Sequence, residues 1–273
     1  VLRDATSLLP LLRRGTNDIE GAIRSGVARL FSMQTRSGGL GYWPRAKEPM
    51  LWASAYGGMV LALAQRHGAE VPKEDFALLL NHLEQQLRSV GTDSSELADA
   101  CLGLYALALA GRGQPAYHEK LYALREKLGA EDRALLALAI AESRGPTPMI
   151  EALLRPASAS RQKSETPFGC SAREGSIRLL AWTQYRPDDP VVDRLVDDLM
   201  REQRQAHWGT TQGNAWALLA LTEYARRVEG KLQLAEGRLT WGGQSVAFHL
   251  DNRTNLFTQT WAITNLAGAA LTL

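Results

Sequence analysis

Residues 97–110 read Leu97-Ala98-Asp99-Ala100-Cys101-Leu102-Gly103-Leu104-Tyr105-Ala106-Leu107-Ala108-Leu109-Ala110, and this run decides the fold. Alanine and leucine are strong helix formers, and the stretch is long enough for several turns. Only Asp99 carries a charge, so no polar face is set against an apolar one as on a surface helix. A helix apolar nearly all round needs protein on every side. The same composition recurs at Ala53–Ala64, Ala134–Ala141, Ile177–Trp182 and Ala215–Ala225.

Segments of the opposite kind separate these runs. Asn17–Gln34, Lys73–Val90, Tyr117–Leu128 and Pro190–Arg204 are amphipathic and charged, with one face expected in water. The two kinds alternate every 33 to 46 residues or so, about the period of helical-hairpin repeats. With Ala5–Arg13 and a short Pro148–Leu154 segment the chain holds about eleven helices, roughly the twelve that a closed ring of six hairpins requires. An open solenoid would expose one face of its inner row, and these inner runs have no polar face to expose. The fold expected is therefore all-α, an α/α toroid of six hairpins.

Punctuation agrees with hairpins. Thr16-Asn17 and Asp93-Ser94 offer N-caps, Pro72, Pro115, Pro148 and Pro190 stand near helix starts, and Gly91, Gly129 and Gly145 follow helix ends. Arg155–Gly169 has no apolar period and reads as a long surface loop. After Gly230 the helical period gives way to alternating strand formers: Leu232 and Leu234, Leu239 and Trp241, Val246, Phe248 and Leu250, Thr258 and Thr260, Ala270 and Thr272. A few strands in so short a segment cannot easily build their own core. Residues 1–230 are thus expected to form the helical domain and 231–273 to belong to a flanking β-sandwich, the whole being a fragment of something larger.

Composition removes several functional classes. Of 273 residues 45% are hydrophobic and 22% charged, which excludes a disordered chain, and two cysteines are too few for a disulfide scaffold. Lys and Arg number 31 against 29 Asp and Glu, a formal charge of +2 with no basic run longer than a pair such as Arg13-Arg14, so no nucleic-acid partner is expected. No stretch is long and apolar enough to span a membrane, and the first residues lack a signal-peptide pattern, so no direct membrane insertion is expected. Cys101 and Cys170 read as unpaired packing residues.

Two loops leading into inner helices share a design: Gln34-Thr35-Arg36-Ser37-Gly38-Gly39-Leu40-Gly41-Tyr42-Trp43-Pro44, and Gln203 followed by His207-Trp208-Gly209-Thr210-Thr211-Gln212-Gly213-Asn214-Ala215-Trp216. A third, Pro167-Phe168-Gly169-Cys170, is weaker. The glycines let the chain reverse, and the aromatic is expected to plug the gap between hairpins. With Leu51-Trp52-Ala53-Ser54-Ala55-Tyr56 and Thr210–Leu221, these loops make the chain resemble the thioester domain of the alpha-2-macroglobulin and complement family, in its bacterial branch. The residues carrying the resemblance are Gly38, Gly39, Gly41, Trp43, Trp52, Tyr56, Gln212 and Trp216, and it covers Val1 to about Gly230. Terpenoid cyclases share the ring, but the three features in order are specific to the macroglobulin branch. The later strands look like the adjoining macroglobulin or CUB-like β-domain.

That family carries a Cys-x-Glu-Gln motif shortly before a proline matching Pro10, and its Cys and Gln condense into a thioester. Here Val1-Leu2-Arg3-Asp4 occupies that place. Ungapped, Val1-Leu2-Arg3 falls on x-Glu-Gln; with a one-residue gap, Val1–Asp4 replaces the whole motif. Neither register supplies the Gln acyl donor, and neither Cys101 nor Cys170 is followed by Glu-Gln. The resemblance therefore implies a thioester-less macroglobulin without catalytic residues, metal or cofactor. Its implied function is non-covalent endopeptidase inhibition in bacterial defence, in a periplasmic parent anchored at the inner membrane. Partners implied are flanking macroglobulin domains and proteases or other envelope proteins.

Two other classes compete. A toroid enzyme is one: Asp99-x-Cys101 has the Asp-x-Cys spacing of prenyltransferase zinc ligands, but no histidine occurs between His118 and His207, and His207 sits in a loop. A cyclase would need a clustered Asp-x-Asp-Asp acid. Asp188, Asp189, Asp193, Asp197 and Asp198 instead follow one helix beside Arg194 and Arg201, as a solvated face does. A polysaccharide lyase would need a Tyr, His and Arg or Asn set that no motif here places together. His67, His82, His118, His207 and His249 are scattered without metal spacing, and no nucleophile elbow or phosphate loop is present. The other competitor is a purely structural spacer between β-domains.

Overall fold

The computed structural model describes residues 19–155, 169–205, 207–228, 235–241, 244–250, 257, 259–260 and 271–272. Among the described residues are ten α-helices: α1 (Ile19–Phe31), α2 (Leu51–Arg66), α3 (Lys73–Ser89), α4 (Ser94–Leu109), α5 (Pro115–Ala123), α6 (Ala130–Glu142), α7 (Thr147–Leu154), α8 (Ser171–Tyr185), α9 (Pro190–Glu202) and α10 (Thr211–Arg227). A 3-10 turn, Arg125–Lys127, completes the segment read as one helix over Tyr117–Leu128. The expected Ala5–Arg13 helix, the Thr16-Asn17 cap and most of the Arg155–Gly169 loop lie outside the described residues. The protein is mostly helical.

The two kinds of helix separate as their composition dictates. α2, α4, α6, α8 and α10 pack side by side in chain order, each on the next. The alternate helices lie outside them, α3 on α2, α7 on α6 and α9 on α8. One contiguous apolar cluster runs through the inner row, from Leu61 and Ala62 of α2 through Leu104 and Leu136 to Leu179 and Ala217. α4 is buried at every position from Leu97 to Leu109 except the half-buried Asp99, and α6 from Glu131 to Ile140. Small residues allow this close approach: Ala55 of α2 is the nearest neighbour to the place a Cβ on Gly103 of α4 would occupy, at 3.9 Å.

α10 departs from expectation. It buries only Gly213, Trp216, Ala217 and Ala220, and leaves Leu218 43% exposed. It holds seven Ala and Leu in 17 residues against nine in 16 for α4, and it packs mainly on α8, whereas α4 and α6 have an inner helix on either side. Helix starts follow local rules in part. Asp189 caps α9, accepting from the Val191 N–H at 2.9 Å, and Thr210 caps α10, accepting from the Gly213 N–H at 2.9 Å. Asp93 precedes α4 without a side-chain cap bond. Gly129, read as a helix end, is the N-cap of α6, its N–H donating to Asp132 Oδ2 at 3.2 Å.

β1 (Ala235–Trp241) pairs antiparallel with β2 (Gln244–Leu250), from Ala235 opposite Leu250 to Trp241 opposite Gln244. β3 (Leu271–Thr272) joins the other edge of β1, giving the order β2-β1-β3. Strand formation at Leu239–Trp241 and Val246–Leu250 thus matches the alternation in the sequence; Leu232, Leu234, Thr258 and Ala270 lie outside the described residues.

The loop into α2 makes a sharp demand on its glycines. Gly38 has φ +88°, and a Cβ there would stand 2.5 Å from the Leu78 carbonyl oxygen of α3. Gly38→Ala is expected to cost about 1–3 kcal/mol in urea denaturation, from strain and the backbone clash together. Gly26→Ala is the matched control: within α1, with nothing within 4 Å of its new methyl, it should be neutral or stabilise by roughly 0.5–1 kcal/mol.

Candidate functional site

The two glycine-aromatic loops are built alike. In the first, the Thr35 N–H donates to the Gly39 carbonyl at 2.8 Å and the Gly38 N–H to the Thr35 carbonyl at 3.0 Å. Gln34 Nε2 donates both to the Gly38 carbonyl and to the Asp75 carbonyl of α3, each at 2.8 Å, tying the loop to the neighbouring helix. The buried Gly39 lies against His82 and Pro49, where a Cβ would come within 2.5 Å and 2.6 Å. In the second, Arg204 and His207 exchange backbone hydrogen bonds at 2.9 and 3.0 Å, and the Trp208 N–H donates to Asn214 Oδ1 at 2.8 Å.

Only one of the two aromatics plugs a gap. Trp208 is 7% exposed, with its indole N–H on the Leu199 carbonyl of α9 at 2.8 Å. Trp43 is 67% exposed. It stands on an excursion whose ends are joined by the Met50 N–H donating to the Leu40 carbonyl at 2.9 Å, with buried Gly41 close to Ala46. The expectation that Trp43 fills an inter-hairpin gap is therefore corrected.

Trp52, Tyr56, Gln212 and Trp216 come together although they belong to the first and last inner helices. Trp52 and Tyr56, one helical turn apart on α2, stack at 5.3 Å with an interplanar angle of 6°. Tyr56 meets Trp216 of α10 at 6.5 Å, tilted by 56°. Trp216 is 1% exposed. Burial raises the Tyr56 hydroxyl above its ordinary pKa, while the Gln212 side chain beside it and the Arg173 charge pull the other way. Val1, Leu2, Arg3 and Asp4 lie outside the described residues.

Arg173 leads to a group of which the sequence reading singled out only Asp99. Its side chain, in the first turn of α8, is 0% exposed and forms an ion pair with Glu131 of α6, itself 1% exposed, at 2.7 Å. The pair meets off the alignment of a hydrogen bond, and Arg173 Nε and Nη1 have no hydrogen-bond acceptor among the described residues. Asp132 of α6 and Asp99 of α4 share this interior. The Asp99 carboxyl is pushed up to about 6, by burial first and then by the Asp132 charge, with Arg173 opposing. Burial also outweighs the attraction of Arg173 at Glu131 and raises it to about 7. A neighbouring charge is structural: Arg133 donates to the Leu153 and Ala152 carbonyls at 3.1 and 2.7 Å, closing the C-terminal end of α7. The available signal was local, since Glu131-Asp132 and Arg173 are charged residues in the first turns of inner helices.

These shifts fix a sign for the pH dependence of stability. Both folded values lie above the ordinary carboxylate values, so the folded state keeps protons that the unfolded chain has already released. The stabilisation is full below about pH 4 and is lost as pH rises through about 6 to 7. The urea midpoint is expected to fall between about pH 5 and 7.5, and Asp99→Asn should flatten the lower part of that fall.

A cleft of about 520 Å³ opens beside this group, lined by Glu131, Cys170, Ser171, Glu174, Arg178, Asp198 and Glu202 among others. The Ser171 hydroxyl donates to Glu202 Oε2 at 2.9 Å. Asp99 and Cys101 stand two positions apart on α4, a spacing that points side chains to different sides of a helix. Cys101 is fully buried, and burial drives its thiol well above the ordinary range. His118 is buried in α5 and lowered to about 4 by desolvation; His207 is exposed, its Nδ1 accepting from the Gly209 N–H at 3.1 Å. Among the described residues no three of His, Cys, Asp and Glu are grouped to hold a metal ion. Asp197 and Asp198 are exposed beside Arg201, as a solvated helix face requires.

No protein-family model matches the sequence, and no curated protein matches it. Solved structures do. Native alpha-2-macroglobulin from Escherichia coli, spanning domain MG7 to the C-terminus, superposes with a TM-score of 0.67 at 16% identity, over 86% of this chain and 39% of that one. Salmonella alpha-2-macroglobulin reacted with methylamine gives 0.66 at 19% identity, over 86% of this chain and 16% of that one. E. coli alpha-2-macroglobulin activated by porcine elastase gives 0.63 at 17%, over 84% and 22%. The chain thus spans well under half the length of each. It has an alpha-2-macroglobulin-like fold.

Proposed function

We propose that this chain carries the ring-shaped helical domain of a bacterial macroglobulin-like protein that has lost its internal thioester. The contact that carries the ring reading is Tyr56 on Trp216, which joins the first inner helix of the row to the last. On this reading residues 1–230 are the α/α toroid and 231–273 are strands belonging to a flanking macroglobulin or CUB-like β-domain. The fold likeness to alpha-2-macroglobulins from two enteric bacteria supports the family, and the absence of a Gln in Val1–Asp4 supports the loss of covalent chemistry. The domain is then not an enzyme. It acts by contact, docking against flanking macroglobulin domains and helping to hold or inhibit proteases non-covalently in the periplasm. Among the described residues no helix is long and apolar enough to cross a membrane.

One of the neighbours is described as reacted with methylamine, and that amine is the test. Incubation of the parent protein with methylamine is expected to leave its intact mass and its thiol titre unchanged. Addition of the amine with release of a new thiol would show a working thioester and overturn the proposal.

A further inference from the structure

The excursion between α1 and α2 carries an aromatic tip that the core does not use. The Met50 N–H on the Leu40 carbonyl brings the two ends of residues 41–49 together, and the Ala46 N–H donates to the Trp43 carbonyl at 3.1 Å to form the turn at the apex. Its base is anchored: Leu40 is 1% exposed, and its N–H donates to Ser54 Oγ of α2 at 2.8 Å. A Cβ on Gly41 would meet the Ala46 methyl at 2.3 Å, so the turn closes tightly on itself. On this fixed base Tyr42 is 47% exposed, Trp43 67% and Met50 43%, with the two rings edge-on at 4.9 Å. Arg45 and Lys47 are exposed on the same tip and Arg36 just before it, and none of the three forms an ion pair among the described residues. Glu48 is the only acid between Arg36 and Met50.

We propose that this tip is a peripheral docking site for an anionic phospholipid surface, with Trp43 and Tyr42 at headgroup level and Arg36, Arg45 and Lys47 facing the lipid phosphates. Tryptophan and tyrosine have an apolar body and a polar edge, which suits them to the water–lipid boundary, and exposed cations beside them complement a negative surface. Shape selects lipid over a protein partner. A stable protein interface takes about 800 Å² from each side, and one convex turn offers a fraction of that. Seating two rings in the headgroup region needs only their own area. This is contact at the surface of a bilayer, without a span, and it does not depend on the macroglobulin reading.

The test uses the 273-residue protein and vesicles of phosphatidylcholine with and without phosphatidylglycerol. Sedimentation is expected to show binding to the phosphatidylglycerol vesicles that weakens as salt rises. Trp43→Ala should lower the partition constant by about tenfold. Arg45→Glu with Lys47→Glu should lower it by at least that much, since each cation near an anionic surface is worth roughly fivefold before its charge is reversed. Circular dichroism and Tm should be unchanged, because these side chains are exposed. Brominated lipid should also quench part of the wild-type tryptophan fluorescence, which decides the matter even if a variant misfolds. No binding at low salt, no quenching, or binding insensitive to Trp43→Ala would overturn the proposal. So would lipid-free dimerisation abolished by the same variants, which would assign the tip to a second copy.

Discussion

Arg173→Met is expected to destabilise the protein by about 3–5 kcal/mol at pH 8, on the order of a 10 °C fall in Tm for a chain of this size. Arg173 and Glu131 are both essentially without solvent access and meet at 2.7 Å. Removing the guanidinium leaves the Glu131 carboxylate in an apolar interior beside Asp132, with its compensating charge gone. The pH matters: Glu131 is raised to about 7, so it is ionised and dependent on Arg173 at pH 8 but can escape by taking up a proton below that. The destabilisation should therefore shrink toward about pH 5, a pattern that simple loss of side-chain volume would not give. Combining Arg173→Met with Glu131→Met should recover most of the loss, because an apolar pair of similar volume replaces a pair that cost desolvation on both sides. Equal losses at pH 5 and pH 8, read from urea or thermal unfolding, would refute this account of the pair.

Trp216→Ala is the second large effect, with an expected cost of about 3–5 kcal/mol. The indole is 1% exposed and lies between α10 and Tyr56 of α2. α10 buries so little else that this side chain is a large part of what joins it to α2. Trp52→Ala is expected to cost less, since Trp52 is half-buried and stacks on Tyr56 from the same helix. Near-ultraviolet dichroism should report the loss of the Tyr56–Trp216 contact, and hydrogen exchange should show α10 opening before α4. If α10 keeps its protection in Trp216→Ala, the join rests on other contacts. The two predictions are coupled through Tyr56, which feels both the Trp216 ring and the Arg173 charge, so their energies are not expected to add.

Much of this architecture was legible because composition and burial are tied by the solvent. A run such as 97–110 has no stable place except inside protein, and its alternation with charged amphipathic helices fixes two layers before any coordinate is known. The turn at Gly38 was equally local, since a left-handed φ acts within a few residues, whereas the expected cap at Asp93 forms no side-chain bond and Thr210, not singled out as a cap, forms one. The aromatic pair in the two loops shows where local reading stops. Trp43 and Trp208 stand in similar glycine-rich settings, yet one faces water on an excursion closed by the Met50–Leu40 backbone bond and the other is buried with its indole on the Leu199 carbonyl of α9.

The sequence by itself determined the order of the inner helices α2, α4, α6 and α8 and of the charged helices between them, the strand formers at Leu239–Trp241 and Val246–Leu250, and the absence of a Gln donor in Val1–Asp4. These follow from short-range periodicity and from residue chemistry. Only the tertiary structure decided which charges are interior. Asp99, the adjacent Glu131 and Asp132, and Arg173 lie on three helices dozens of residues apart, so neither the Arg173–Glu131 pairing nor the raised carboxyl pKa values of Asp99 and Glu131 have a local signature. The same holds for the meeting of Tyr56 with Trp216. Desolvation and through-space charge depend on what the packed helices bring together, and that is set by the whole inner row at once.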